Sequence, residues 1–163
     1  MFPLFNYKYK IPQENDLGAF GVKRKYDIHT GVDLYCNHGD VVLSIEEGEV
    51  LAIKPFTGEI AGFPWWNDTW GIAIKGKSGI INYGELKPKK SLKEGDFVKE
   101  GDIIGIVIPV LKKDKGKVPS TSMLHLELYN NYNGEWVEWE LGNEKPDNLE
   151  DPTNLLISLY KNI

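Results

Sequence analysis

The chain has 163 residues, of which 24 are acidic and 19 are basic, so its formal net charge is -5. This length suits a single domain, and 41% hydrophobic residues are enough to build a core without disulfide bonds. The acidic balance disfavours nucleic acid as a partner, and no apolar run approaches the roughly 20 residues of a membrane span.

The first 15 residues, MFPLFNYKYKIPQEN, lack a charged segment followed by a long apolar run. They do not resemble a secretory leader, so we expect a cytoplasmic or virion-associated protein, or an exported one whose leader has been removed. The single cysteine, Cys36, is predicted to be a small buried hydrophobic residue, because no histidine and acid accompany it as a nucleophile would need.

The segment DIHTGVDLY, residues 27–35, carries the first signal of a site. If it is extended, His29, Gly31 and Asp33 point to one face, because side chains alternate along a strand. Gly31 has no side chain, so an imidazole and a carboxylate flank open space of the kind that a metal ion requires. The plain alternative is a turn histidine hydrogen-bonded to a nearby acid. His38, in the turn NHGD, is predicted to be a surface residue.

Short segments rich in β-branched residues follow, separated by Gly, Asp, Asn and Lys, and they predict an antiparallel sandwich or barrel. They are VVLSI from Val41, GEVLAIK from Gly48, WGIAIK from Trp70, GIINY from Gly79 and DIIGIVI from Asp102. Two long loops interrupt them. Residues 55–70 contain Trp65, Trp66 and Trp70, which form either a stacking platform for a sugar or peptide or an aromatic cluster packed on itself. Residues 111–122 form a polar, lysine-rich loop.

The segment SMLHLELY predicts a half-buried strand with His125 on its polar face. Catalytic zinc commonly takes three protein ligands, and His125 supplies a third beside His29 and Asp33. The alternative is a histidine satisfied by Glu127 or by a backbone carbonyl. The apolar row is Leu124, Leu126 and Leu128, and the opposite row is Met123, His125, Glu127 and Tyr129.

The last segment, DPTNLLISLYKNI, predicts a short C-terminal helix. Asp151 caps it, Pro152 takes the first helical position, and four apolar residues share one face. They are Leu155, Leu156, Leu159 and Tyr160.

These motifs together resemble the LytM/lysostaphin-type zinc endopeptidases. HTGVD is similar to that family's HxGxD motif, LKEGDFVKEGDIIGIV to its paired glycine turns, MLHLELY to its HxHFEV strand and DPTNLL to its C-terminal "DP" segment. The similarity runs over about residues 18–156. We therefore expect one domain, residues 1–163, in which residues 18–156 form the core of the family fold. It implies the all-β duplicated hybrid motif, an antiparallel β-sandwich or barrel, with the short helix at its end.

The resemblance implies a zinc ion held by His29, Asp33 and His125, and hydrolysis of peptide bonds in peptidoglycan. Two catalytic histidines of the family are replaced. The first histidine of its HxH motif is Met123 here, and the histidine of its Y-x-H-L strand is Glu85. Met cannot handle a proton, so we expect a domain that binds or acts on peptidoglycan peptides with impaired or absent turnover.

Glu85 leaves a second hypothesis open, an active endopeptidase that uses this carboxylate as general base. Tyr83 and Glu85 would then share a face that lines the site, with Tyr83 and the loop tryptophans contacting substrate. A third class of function is a structural or virion module, whose partner is another protein, or a carrier domain built from similar hairpins. A carrier would need a lysine at a hairpin tip in a matching motif, and the chain has none.

Overall fold

The computed structural model of the protein describes residues 1–113 and 121–162. Most of the lysine-rich segment predicted as a solvated loop, residues 114–120, lies outside the described residues. The described part contains nine strands and one α-helix. They are β1 (Val32–Tyr35), β2 (Val41–Leu43), β3 (Gly48–Thr57), β4 (Thr69–Gly76), β5 (Gly79–Pro88), β6 (Phe97–Val98), β7 (Ile103–Val107), β8 (Met123–Tyr129), β9 (Leu149–Glu150) and α1 (Thr153–Tyr160).

The strands form one antiparallel sheet whose main order is β1-β8-β5-β4-β3-β6. Strand β2 pairs with β7, β7 pairs with β5, and β9 pairs with β8. The prediction of an antiparallel all-β fold ending in a short helix is confirmed. Helix α1 buries Leu156 completely, and Asp151 accepts a hydrogen bond from the backbone N–H of Thr153 at 2.8 Å. No helix in the described ranges is long and apolar enough to cross a membrane.

Strand β8 is buried on both faces, which differs from the half-buried strand predicted. Leu124 and Leu126 belong to the main hydrophobic core, while Tyr129 packs into a second cluster with Ile80 and Leu149. The reason is that other segments cover its second face as well. Phe56 packs against the His125 ring, Thr30 donates to Glu127, and Tyr132 packs against Tyr129. Burial on both faces therefore encloses the polar side chains of β8.

The register of β8 brings the predicted site residues together. Asp33 of β1 lies opposite His125 of β8, and Gly84 of β5 lies opposite His125 on its other side. The next pair of β1 and β8 on the same face is Tyr35 with Met123. One row across three strands therefore holds two of the three predicted ligands.

Candidate metal centre

Three buried side chains, which we call the metal group, converge near the N-terminal end of β1. His29 Nε2, Asp33 Oδ1 and His125 Nδ1 lie 3.1, 3.1 and 2.8 Å apart, taken as the His29–Asp33, His29–His125 and Asp33–His125 edges. The three residues are 3%, 2% and 5% exposed. These are the residues that the sequence predicts as zinc ligands, and the structure brings all three together.

Gly31 is what allows this approach. A Cβ at position 31 would lie 2.5 Å from the Leu126 carbonyl oxygen and 2.9 Å from two atoms of the His125 ring. Contacts under 3.0 Å are essentially never made by real Cβ atoms. The space beside Gly31 that the sequence predicts as open is therefore taken by the His125 imidazole, which fits only because residue 31 is glycine.

The outer atoms of the ligand side chains are each fixed by a second group. The His29 Nδ1–H donates to the Ala19 carbonyl at 2.8 Å, which leaves Nε2 with a free lone pair. The His125 Nε2–H donates to Glu127 Oε1 at 3.1 Å, which directs Nδ1 inward. Arg24 donates to Asp33 Oδ2 at 2.6 Å, so Oδ1 is the oxygen that faces the histidines. Such outer contacts orient the ligands of a metal.

This geometry fits a zinc ion. A tetrahedral metal with ligand distances of about 2.0–2.2 Å has ligand-to-ligand edges of about 3.4 Å. The observed edges of 2.8–3.1 Å are a few tenths of an ångström shorter, so small side-chain movements would admit the ion. Without a proton or a cation between them, the lone pairs of His29 Nε2 and His125 Nδ1 would face each other across 3.1 Å.

The electrostatics of the group also favour a positive charge. Burial lowers the pKa of His125, but the hydrogen bonds to Asp33 and Glu127 outweigh it and raise this pKa to about 10. Burial raises the pKa of Asp33, yet the facing imidazoles hold it well below its usual value. The carboxylates of Asp33 and Glu127 therefore favour a positive charge beside them, which a metal cation would supply.

Glu85 lies beside this group, in a strained conformation. Its φ is 64°, in the left-handed region that residues other than glycine seldom adopt, and its Oε2 is buried without a hydrogen-bond partner. Burial, and then the nearby Asp33 carboxylate, raise the pKa of Glu85 to about 8. Strain and an unpartnered buried oxygen at one residue are features that cluster at functional sites.

The positive φ also separates Glu85 from Tyr83. Glu85 lines the groove next to the metal group, whereas Tyr83 is fully buried in the core and its hydroxyl accepts the Ile45 N–H at 3.0 Å. The prediction that these two residues share one face, and that Tyr83 contacts substrate, is wrong. The left-handed residue breaks the alternation of side chains on which that prediction depends.

A groove of about 360 Å³ opens onto the metal group. His29, His125 and Glu85 line it together with the aromatic rings of Phe56, Phe63 and Trp66. Phe56 lies over the His125 ring, with 5.4 Å between ring centroids. A concave groove lined by aromatic rings and a few polar groups is typical of a ligand-binding site.

The three loop tryptophans are placed differently from one another. Trp66 lines the groove. Trp65 is 62% exposed and packs edge-on against the Trp66 ring, with 5.9 Å between the ring centroids. Trp70 is half-buried in β4 and does not line the described groove. Met123 is half-buried at the start of β8, and His38 is exposed.

The contacts of two residues of the site could not be established from the sequence. Arg24 comes from an irregular segment, and no pattern places its guanidinium on Asp33. The sequence offers Glu127 only as a possible partner of His125, because the contacts that it also accepts from Thr30 and from Asn82 of β5 depend on the tertiary structure.

Comparison with known proteins decides the family. The model of peptidase family M23 matches residues 27–138, more than half of the chain. The chain belongs to peptidase family M23. This agrees with the resemblance to the LytM/lysostaphin-type enzymes.

Individual relatives of this M23 chain are distant. Leukocyte cell-derived chemotaxin-2 of Bos taurus is 29% identical over 115 residues, which is 68% of this chain and 66% of that protein. The chain therefore spans just under two thirds of the chemotaxin's length.

Solved structures share the fold. The catalytic domain of the antimicrobial peptidase lysostaphin from Staphylococcus simulans superposes with a TM-score of 0.56 at 22% identity, over 91% of this chain and 92% of that one. A zinc-containing peptidase from Vibrio cholerae gives 0.55 at 20% identity, over 88% of this chain and 39% of that one.

Proposed function

We propose that this M23 domain holds one zinc ion through His29, Asp33 and His125 and binds peptidoglycan peptides in the adjoining groove, with little or no turnover. The observation that carries the proposal is the convergence of three buried ligand atoms within 3.1 Å of one another at the floor of the groove. Zinc, when bound, supplies a Lewis acid that polarises a peptide carbonyl. Membership of peptidase family M23, together with the resemblance of the motifs to the LytM/lysostaphin-type enzymes, supports peptidoglycan peptides as the ligand class.

Impaired turnover is expected because the two proton-handling histidines that the family resemblance implies are replaced. Hydrolysis of an amide requires a group that takes and returns a proton, and the loss of such a group typically costs a factor of about 10²–10⁴ in rate. At the two positions where the resemblance implies catalytic histidines, the chain has Met123 and Glu85. Met123 has no proton to exchange.

A second candidate function is zinc-dependent peptide hydrolysis with Glu85 as the proton-handling group. The specific observation that favours it is the buried, unpartnered Oε2 of Glu85 in a residue that lines the groove. A carboxyl with a pKa near neutrality is suited to exchange a proton in a reaction.

Zinc content and binding to insoluble peptidoglycan, measured on the same preparations, test the first proposal. We expect about one zinc per chain in the wild type, loss of the metal in His125→Ala, and retention in the control His38→Ala, because His38 is exposed. Wild-type protein should sediment with peptidoglycan. A wild type that neither holds zinc nor sediments would contradict the proposal.

Release of new amino groups from peptidoglycan or from a pentaglycine peptide separates the two candidates. Background release by the zinc-loaded wild type supports the binding domain. Release that is abolished in Glu85→Gln while zinc is retained supports the hydrolase. Release above background that is unchanged in Glu85→Gln rules out both candidates, because the protein would then hydrolyse the substrate without Glu85.

A further inference from the structure

We propose that Glu127 is the positioning residue that sets the affinity of the site for zinc, by holding His125 and the segment of His29 around one buried carboxylate. The inference rests on the zinc site proposed above. Glu127 is not one of the three converging ligands, yet it is 1% exposed and lies two residues beyond His125 on β8. A carboxylate so deeply buried must be compensated by its contacts.

Four donors meet the carboxylate of Glu127, two on each oxygen. Oε1 accepts the Thr30 hydroxyl at 2.6 Å and the His125 Nε2–H at 3.1 Å. Oε2 accepts the Asn82 amide at 2.7 Å and the Tyr129 hydroxyl. A carboxylate offers about four lone-pair directions, so this one is saturated and fixed in place.

The contact with His125 decides which ring nitrogen is available to a metal. Because Nε2 carries the proton donated to Glu127, Nδ1 is the nitrogen that points at His29 and Asp33. The negative charge of Glu127 also stabilises a cation on the far side of the imidazole. Zinc carries a charge of +2, so this attraction adds to the affinity of the site for the ion.

The contact with Thr30 joins the two halves of the site. Thr30 follows His29 directly, whereas Glu127 belongs to the strand of His125, and the two residues are 97 positions apart in the chain. The Asn82 amide comes from β5 on the other side of β8. Glu127 therefore fixes the distance between the His29 segment and His125, as well as the orientation of the ring.

Glu46 provides a matched control elsewhere in the fold. It is a second buried carboxylate, 4% exposed, which accepts the Ser78 N–H at 2.9 Å and the Ser78 hydroxyl at 2.8 Å. It has no contact with the metal group. Glu127→Gln and Glu46→Gln both neutralise a buried, hydrogen-bonded carboxylate, but only the first lies next to a predicted ligand.

The experiment measures zinc affinity of the full chain by competition with a fluorescent chelator. We expect Glu127→Gln to bind zinc about 10–100-fold more weakly than the wild type, which is the usual effect of losing such an outer contact. Thr30→Val, which removes one donor and keeps the carboxylate, should have a smaller effect in the same direction. Glu46→Gln should bind zinc as the wild type does.

A second readout follows the His125 ring in the zinc-loaded protein labelled with ¹⁵N-histidine. We expect a slowly exchanging Nε2–H and coordination through Nδ1 in the wild type and in Glu46→Gln. In Glu127→Gln the Nε2–H should exchange rapidly, because its carboxylate acceptor is lost. A role in stability alone would not produce this difference.

Several outcomes overturn the inference. They are wild-type affinity in a folded Glu127→Gln protein, an equal loss in Glu46→Gln, or, if Glu127→Gln does not fold, unchanged affinity in Thr30→Val. A wild type that binds no zinc overturns the zinc site itself, and the inference with it. A wild type that binds zinc with unchanged affinity in the variants overturns only the role of Glu127.

Discussion

Replacing Gly31 with alanine tests whether close packing at this position makes the metal group. The new Cβ would lie 2.5 Å from the Leu126 carbonyl oxygen, and ordinary contact begins at 3.4 Å, so the backbones must separate by up to 0.9 Å. Overpacking of this kind costs about 1–3 kcal/mol of stability. The same separation moves Asp33, which lies two residues on, away from His125.

Metal sites tolerate errors of only about 0.2 Å in ligand distance, so a shift several times larger should weaken zinc binding at least tenfold, or about 1.4 kcal/mol. The assay is chelator competition, with urea unfolding of the metal-free protein to measure stability. Gly48→Ala is the control, because its Cβ would clash with the Lys75 carbonyl between β3 and β4, outside the metal group. Wild-type zinc affinity in Gly31→Ala, or equal weakening in Gly48→Ala, would refute the reasoning.

Three further predictions concern metal, pH and the thiol. Adding zinc at 100 times its Kd should stabilise the wild type by about 2.7 kcal/mol and should not stabilise Asp33→Asn, as measured by thermal unfolding; an equal response of both proteins would place the zinc elsewhere. In metal-free protein, the pKa of Glu85 rises from an ordinary 4.5 to about 8 on folding, so wild-type stability should fall as pH rises through this interval, and the advantage of Glu85→Gln should grow over it. Urea unfolding at several pH values measures this advantage, and a constant difference would contradict the shift. Burial, and then Asp40, raise the pKa of the Cys36 thiol to about 12, so a thiol reagent at pH 8 should label the unfolded chain and not the native one.

Much of the site was predictable because its chemistry is local in sequence. The alternation of His29, Gly31 and Asp33, and the isolated His125 in an alternating strand, identified three residues that the structure does bring together. The strand segments were predictable for the same reason, since β-branched runs between turn residues report short-range preferences. The C-terminal helix was predictable to within one residue. It begins at Thr153, so Pro152 is its N-cap and not its first helical residue as predicted, while Asp151 accepts the Thr153 N–H.

The errors arose where the backbone or the sheet overrode the local pattern. Glu85 adopts a positive φ, which no alternation rule anticipates, and this placed Tyr83 in the core. Strand β8 was predicted to be half-buried because its own sequence does not reveal the segments that cover its polar face, among them those of Phe56 and Thr30. Glu127 was predicted only as a possible partner of His125, and its contacts with Thr30 and Asn82 were missed because these donors come from distant parts of the chain.

The separation of the two histidines in the sequence has a consequence for the stability of the fold. His29 and His125 are 96 positions apart, and the predicted ion would join them. A metal held by both ends of so long a loop acts as a removable cross-link, comparable in its effect on the unfolded chain to a disulfide that closes a loop of about 100 residues, for which chain entropy alone gives about 4.7 kcal/mol. Strands β1 to β7 lie between these ligands in the sequence, so the bound ion would make nearly the whole sheet unfold as one cooperative unit. A chelator would then release that lock without breaking a covalent bond.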